Sequence, residues 1–182
     1  MKTNTKWPLV ILYILSWIIF VGVGIEAGGF ITNTVATLIL NPVGAKHFWQ
    51  QADLSSLYYY DRVYFIIETS FMCIVAVLKA WIFYVIIQIQ HSKKVSISQP
   101  FNKPAQRFIF RIACLSLFTG LLCLWGAKYA AWFVQQGVKM PDIQYLGIGG
   151  GDVWVFMGVA LFVIGQVFKK GIEIQSENEL TV

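Results

Sequence analysis

Charge is scarce in this chain: 13% of its 182 residues are Asp, Glu, Lys or Arg, and nine are acidic. A soluble domain carries about a quarter charged residues, so most of this surface is not built for water. Cysteine is scarce too. Cys73, Cys114 and Cys123 lie inside apolar stretches with no C-x-x-C spacing, which argues against a disulfide framework or a thiolate metal site and leaves small packing residues. The two histidines, His47 and His91, come without an H-E-x-x-H, so no metal is expected. A G-x-S-x-G hydrolase elbow is missing. The glycine run Gly147 to Gly151 lacks the Lys-Ser/Thr that a phosphate loop requires. No catalytic residue and no cofactor is expected.

Hydrophobic side chains are abundant, at 57% of the chain with a mean hydropathy of +0.65. They come in blocks. Crossing a hydrocarbon core about 30 Å thick takes roughly 18 to 20 apolar residues; Trp7 to Gly24, Val63 to Gln88 and Phe108 to Val134 meet that need, and a fourth block, Val153 to Phe168, comes close to it. The last is shortest and relies on the snorkelling stems of Lys169 and Lys170. The expected fold is an all-α integral membrane four-helix bundle, one domain over 1–182. Pro8 suits a first helical turn. A cleaved signal peptide is disfavoured by the length of the first apolar block and by the lack of an A-x-A site. Phe30 to Leu40, between Gly28-Gly29 and Asn41-Pro42, is too short to cross alone. It reads as a helical extension or as a short extracytoplasmic helix at the outer interface. In the polar linker Ser92 to Arg107, Pro100 and Pro104 disfavour one continuous helix.

The net charge of +5 and pI near 9.1 do not describe a nucleic-acid face, because the basic residues flank apolar blocks. No direct nucleic-acid contact is expected. Their placement speaks to orientation instead. Lys2, Lys6, Lys93, Lys94, Lys103, Arg107, Lys169 and Lys170 fall on one side, against Lys46, Arg62 and Lys139 on the other. By the positive-inside rule both termini are expected in the cytoplasm.

Five ionisable residues fall within the apolar reach of the spans: Glu26, Glu68, Lys79, Arg111 and Lys128. Each must pair, face a wet cavity or snorkel. Glu26 at the outer end of the first span, Glu68 below the outer surface and Lys128 near the outer end of the third span are expected at similar depth. They could form an outer cluster, either an ion or headgroup site or a structural ion pair. Arg111 lies one turn inside the inner surface and can snorkel. Lys79 is deeper, about 16 Å along the helix from Glu68 on the same face, and either reaches inner headgroups or faces a cavity. Trp7, Trp154 and Tyr58 to Tyr60 read as interfacial anchors, and Trp17 and Trp81 as packing residues. Gly24 and Gly28 form a GxxxG beside Gly22, which suits close packing within the chain or a homo-oligomer. The tail from Gly171 to Val182 is either a solvated end or a segment with an apolar edge from Ile172, Leu180 and Val182.

Two places give the chain a likeness to known sequences: Pro100-Phe101 with the following Arg107, and Phe168-Lys169-x-Gly171 through Gln175-x-Glu177-Asn178-Glu179-Leu180-Thr181-Val182. There it resembles a bacterial family of four-span membrane proteins, domain of unknown function 2975. Members are often encoded beside a small helix-turn-helix regulator, so the resemblance implies such a partner and no catalytic residue. The leading expectation is a non-enzymatic protein of the bacterial inner membrane, embedded in lipid, whose linker and tail bind that partner through Gln175, Glu177, Asn178, Leu180 and Thr181. The rival is a small transport, resistance or immunity protein handling an ion or amphiphile through Glu26, Glu68 and Lys128.

Overall fold

The computed structural model describes residues 6–91 and 101–179, all in helices and the connections between them. Four long helices carry the chain: α1 (Lys6–Ile39), α3 (Arg62–His91), α4 (Lys103–Gln135) and α5 (Gly151–Glu179). A short α2 (Ser55–Tyr60) precedes α3. All four long helices are long and apolar enough to cross a bilayer. The protein is a multi-pass membrane protein built as a four-helix bundle.

Side-chain register makes the bundle up-down-up-down. Gln90 donates to the Ser16 hydroxyl at 3.4 Å, and the Phe20 ring sits 6.2 Å from Tyr84, so α1 and α3 run antiparallel. Tyr64 meets Phe133 at 5.4 Å, which sets α3 against α4 in the same sense. The packing runs in a row, α1 on α3, α3 on α4 and α4 on α5. The start of α1, the end of α5 and the α3–α4 linker therefore share one end of the bundle, the terminal end. The α1–α3 and α4–α5 connections share the other, the loop end.

The tightest pair is α4 with α5, and glycine makes it so. Gly151, Gly158 and Gly165 recur every seven residues and rest on Leu124, Leu117 and Phe110, themselves seven apart. A seven-residue repeat keeps one seam in register along two coiled helices, and without a Cβ the backbones approach closely. A Cβ on Gly158 would stand 2.8 Å from the Leu117 backbone nitrogen. The glycines on α1 behave differently. A Cβ on Gly22, Gly24 or Gly28 would meet nothing within 4 Å, so among the described residues the GxxxG makes no close helix contact.

Helix bounds exceed the apolar blocks for local reasons. Residues 30–39 continue α1 without a break, which is the extension and not a separate helix. Gly28-Gly29 does not end it, and Gly29 leaves room for the Trp49 indole, which any Cβ there would overlap. α1 stops where Arg62 donates to the Leu38 carbonyl at 2.7 Å, a cation on an unpaired helix end. Asn41 then accepts from the Val43 N–H and starts a 3-10 turn at Pro42–Ala45. At the next helix starts, Asp61 accepts from Val63 N–H at 2.6 Å and Asn102 from Ala105 N–H at 2.8 Å. Pro104 sits in the first turn of α4, so residues 103–107 of the expected linker are helical. α5 likewise carries the tail as helix to Glu179. Residues 92–100 of the linker, and Leu180, Thr181 and Val182 of the tail, lie outside the described residues.

The connection over the loop end is packed. Phe30, Phe48, Phe65, Phe133, Leu57 and Leu146 are buried together there. Asp53 accepts from the hydroxyl and then from the backbone N–H of Ser55, which holds its carboxyl below the usual carboxylate range. A depressed value means that this turn is fully supported above the ordinary carboxylate pKa and loses that support as pH falls through the lower, folded one.

Overpacking a tight helix contact costs about 1–3 kcal/mol. Gly158→Leu is therefore expected to lower the thermal midpoint of the detergent-purified protein by several degrees, and Gly24→Leu to leave it nearly unchanged. Thermal unfolding of the two variants beside the wild type checks this.

Candidate functional site

The α4–α5 connection enters the bundle. α4 ends at Gln135, yet the first residue of α5, Gly151, rests on Cys123 and Leu124, about 16 Å back along α4 at 1.5 Å per residue. The residues between must return inward. Leu146 and Ile148 are fully buried, and Ile148 lies close to Gly126 of α4. Gly147 and Gly150 adopt φ of +68° and +71°, left-handed values that side chains disfavour.

At its deepest the loop touches two other helices. A Cβ on Gly147 would fall 2.8 Å from the Phe30 ring and 3.1 Å from Glu26 Oε1, both on α1. The Gly147 carbonyl accepts from Lys79 Nζ of α3 at 2.7 Å. The same ammonium stands 6.0 Å from the centre of the Trp154 ring on α5, within cation–π range. Glu26, Lys79, Gly147 and Trp154 thus meet at one level, with the carboxylate and the ammonium on two sides of a glycine backbone. No ion pair within 4.0 Å joins Glu26 to Lys79 among the described residues. A cation, a carboxylate and a carbonyl inside apolar walls can hold a proton, an ion or a polar group, because low dielectric strengthens each contact.

The expected outer cluster is not assembled. Because α1 continues to Ile39, Glu26 lies thirteen residues before its end, about 20 Å below the loop end and level with Lys79. Glu68 and Lys128 are at similar depth, as expected, but on different faces. Glu68 is fully buried with neither carboxylate oxygen hydrogen-bonded, while Lys128 is exposed. Tyr129, next in the chain, is the residue of α4 that turns toward Tyr64 and Phe71 of α3. Lys79 takes neither expected course, since it binds the loop carbonyl. Trp154 is half-buried against the core and not an anchor at the surface, whereas Trp17 and Trp81 are exposed on the bundle's outside. The low start of α5 explains the Trp154 difference.

At the terminal end the two segments that carry the family likeness touch. The rings of Phe101 and Phe168 are 5.2 Å apart, and a Cβ on Gly171 would collide with Phe101. Beyond them, Gln175 is half-buried and Glu177 exposed on the last turns of α5, with Asn178 on the same helix. The family described as protein of unknown function (DUF2975) matches residues 2–182. The chain belongs to that family. No curated protein and no solved structure matches it. The DUF2975 match takes in all four spans, both touching segments and the glycine loop. The sequence was read as placing Trp154 at the interface and the Gly147 to Gly151 run in a connection without a phosphate-loop role, and neither reading brought the two residues to Lys79. The available signal was the unusually short last apolar block directly after five glycine-rich residues.

Two outcomes are expected. In a background with Cys73, Cys114 and Cys123 replaced by Ala, Lys79→Met should speed maleimide labelling of Ile148→Cys severalfold, and Lys128→Met should not. Equal rates would mean that the lysine does not hold the loop. An unpaired buried polar group costs about 1–3 kcal/mol, so Glu68→Met should raise the thermal midpoint, and a lowered one would show that the carboxyl has a stabilising partner.

Proposed function

We propose that this is a non-enzymatic bacterial inner-membrane protein, both termini cytoplasmic, whose terminal end binds a cytoplasmic helix-turn-helix regulator. The contact of Phe101 with Phe168 and Gly171 supports this reading. It brings the last part of the linker against the start of the tail, two segments far apart in sequence, at one end of the bundle, a geometry suited to recognising a folded partner. α5 continues past that contact as an exposed helix whose last turns hold Gln175, Glu177 and Asn178. The excess of Lys and Arg at the same end supports the orientation.

Co-purification from solubilised membranes tests the reading. The full chain should retain a helix-turn-helix protein that a chain ending at Lys170 loses, and Phe101→Ala should weaken the association without lowering the amount of protein in the membrane. Equal recovery of every cytoplasmic protein by the full and shortened chains would reject it.

A second reading draws on Glu26 and Lys79 flanking Gly147. Opposite charges beside an inserted loop suit the handling of an ion or amphiphile. On that reading Glu26→Gln abolishes flux in proteoliposomes while the protein stays folded, and unchanged flux rejects it.

A further inference from the structure

At the terminal end, the last turns of α3 and the first turns of α4 diverge around a cleft of about 280 Å³. Gln88, Arg107 and Arg111 give it a polar side, and Val85, Ile89 and Phe108 an apolar one. Arg107 and Arg111 are four residues apart on α4, so they share a face one turn apart. Both are exposed, and no carboxylate among the described residues lies within ion-pair distance of either. Two unpaired guanidinium groups opening on lipid need a counter-charge. The lining residues fall within about the last two turns of α3 and the first two turns of α4, where a headgroup phosphate and the first carbons of an acyl chain are found at once. A guanidinium fork matches phosphate oxygens in geometry.

We propose that the cleft between α3 and α4 is a binding site for an anionic phospholipid, its phosphate held by Arg107 and Arg111 and one acyl chain lying along Val85, Ile89 and Phe108. The polar and apolar sides of the cleft together distinguish a lipid from a free anion. Phosphate alone uses the arginines and leaves the apolar side wet. A basic pocket between spans, facing the headgroup layer, has the chemistry for this class of ligand.

The test uses the full chain in detergent, with the thermal midpoint followed as lipid is added. Phosphatidylglycerol should raise the midpoint of the wild type, and phosphatidylcholine and inorganic phosphate should not. The double variant Arg107→Gln, Arg111→Gln should need about tenfold more phosphatidylglycerol or greater for the same rise. The double variant Lys169→Gln, Lys170→Gln, which removes equal charge from exposed positions of α5, should respond as the wild type does. If phosphatidylcholine acts as well as phosphatidylglycerol on the wild type, the site does not select an anionic lipid and the proposal fails. An equal rise with inorganic phosphate makes it a free-anion site, and an equal loss in both double variants makes it unspecific surface charge. Either result overturns the assignment.

Discussion

A backbone carbonyl taken into an apolar bundle has no water to accept from, and leaving it bare costs several kcal/mol in lipid-like surroundings. The Lys79 ammonium supplies the donor for Gly147, and much of the bundle's layout follows from the need for it. Gly151, Gly158 and Gly165 seat α5 low on α4. With α5 starting so far below the end of α4, residues 136–150 must fill the space between helices, which brings Gly147 against Phe30 and Glu26 of α1. The dependence is mutual. A lysine in the middle of a span would itself be costly, and the carbonyl together with the Trp154 ring is what receives it.

The two span carboxylates differ in their surroundings. Glu26 stands beside the loop, level with a cation. Glu68 is fully buried on α3, as are Phe65, Thr69 and Met72, and neither of its oxygens has a hydrogen-bond partner among the described residues. Such a group lowers stability wherever an apolar residue would fit. These positions hold the chemistry of the bundle's middle, while the arginines and touching rings of the terminal end hold that of its surface. The two regions are linked through α5, whose glycine seam runs from Gly151 beside the loop to Gly171 on Phe101.

The spans were legible because lipid demands continuous apolar stretches, and hydropathy reads that demand directly. Depth was less legible. Gly28-Gly29 looks like punctuation in sequence, yet glycine is well tolerated in a membrane helix, and its passage moves Glu26 from the edge of the bundle to its interior. Facing was legible only in part. Lys128 and Glu68 were placed at a common level, but which side of α4 meets α3 depends on Tyr129 and Phe133 packing on Tyr64, a choice that a uniformly apolar helix does not display. The glycine seam was present as a seven-residue repeat. The inserted loop was not, since its conformation depends on contacts with three separate helices. The meeting of Phe101 with Phe168 also needed the structure, although both residues stood out in the likeness to the family.

Hydrogen–deuterium exchange of the backbone amides, measured on the protein in lipid nanodiscs, addresses the inserted loop most directly. Residues 146–149 should exchange as slowly as the middle of α3 and far more slowly than the exposed turn at Lys46 and His47 over the loop end. Exchange of 146–149 as fast as that exposed turn would place the glycine loop in water and contradict the account.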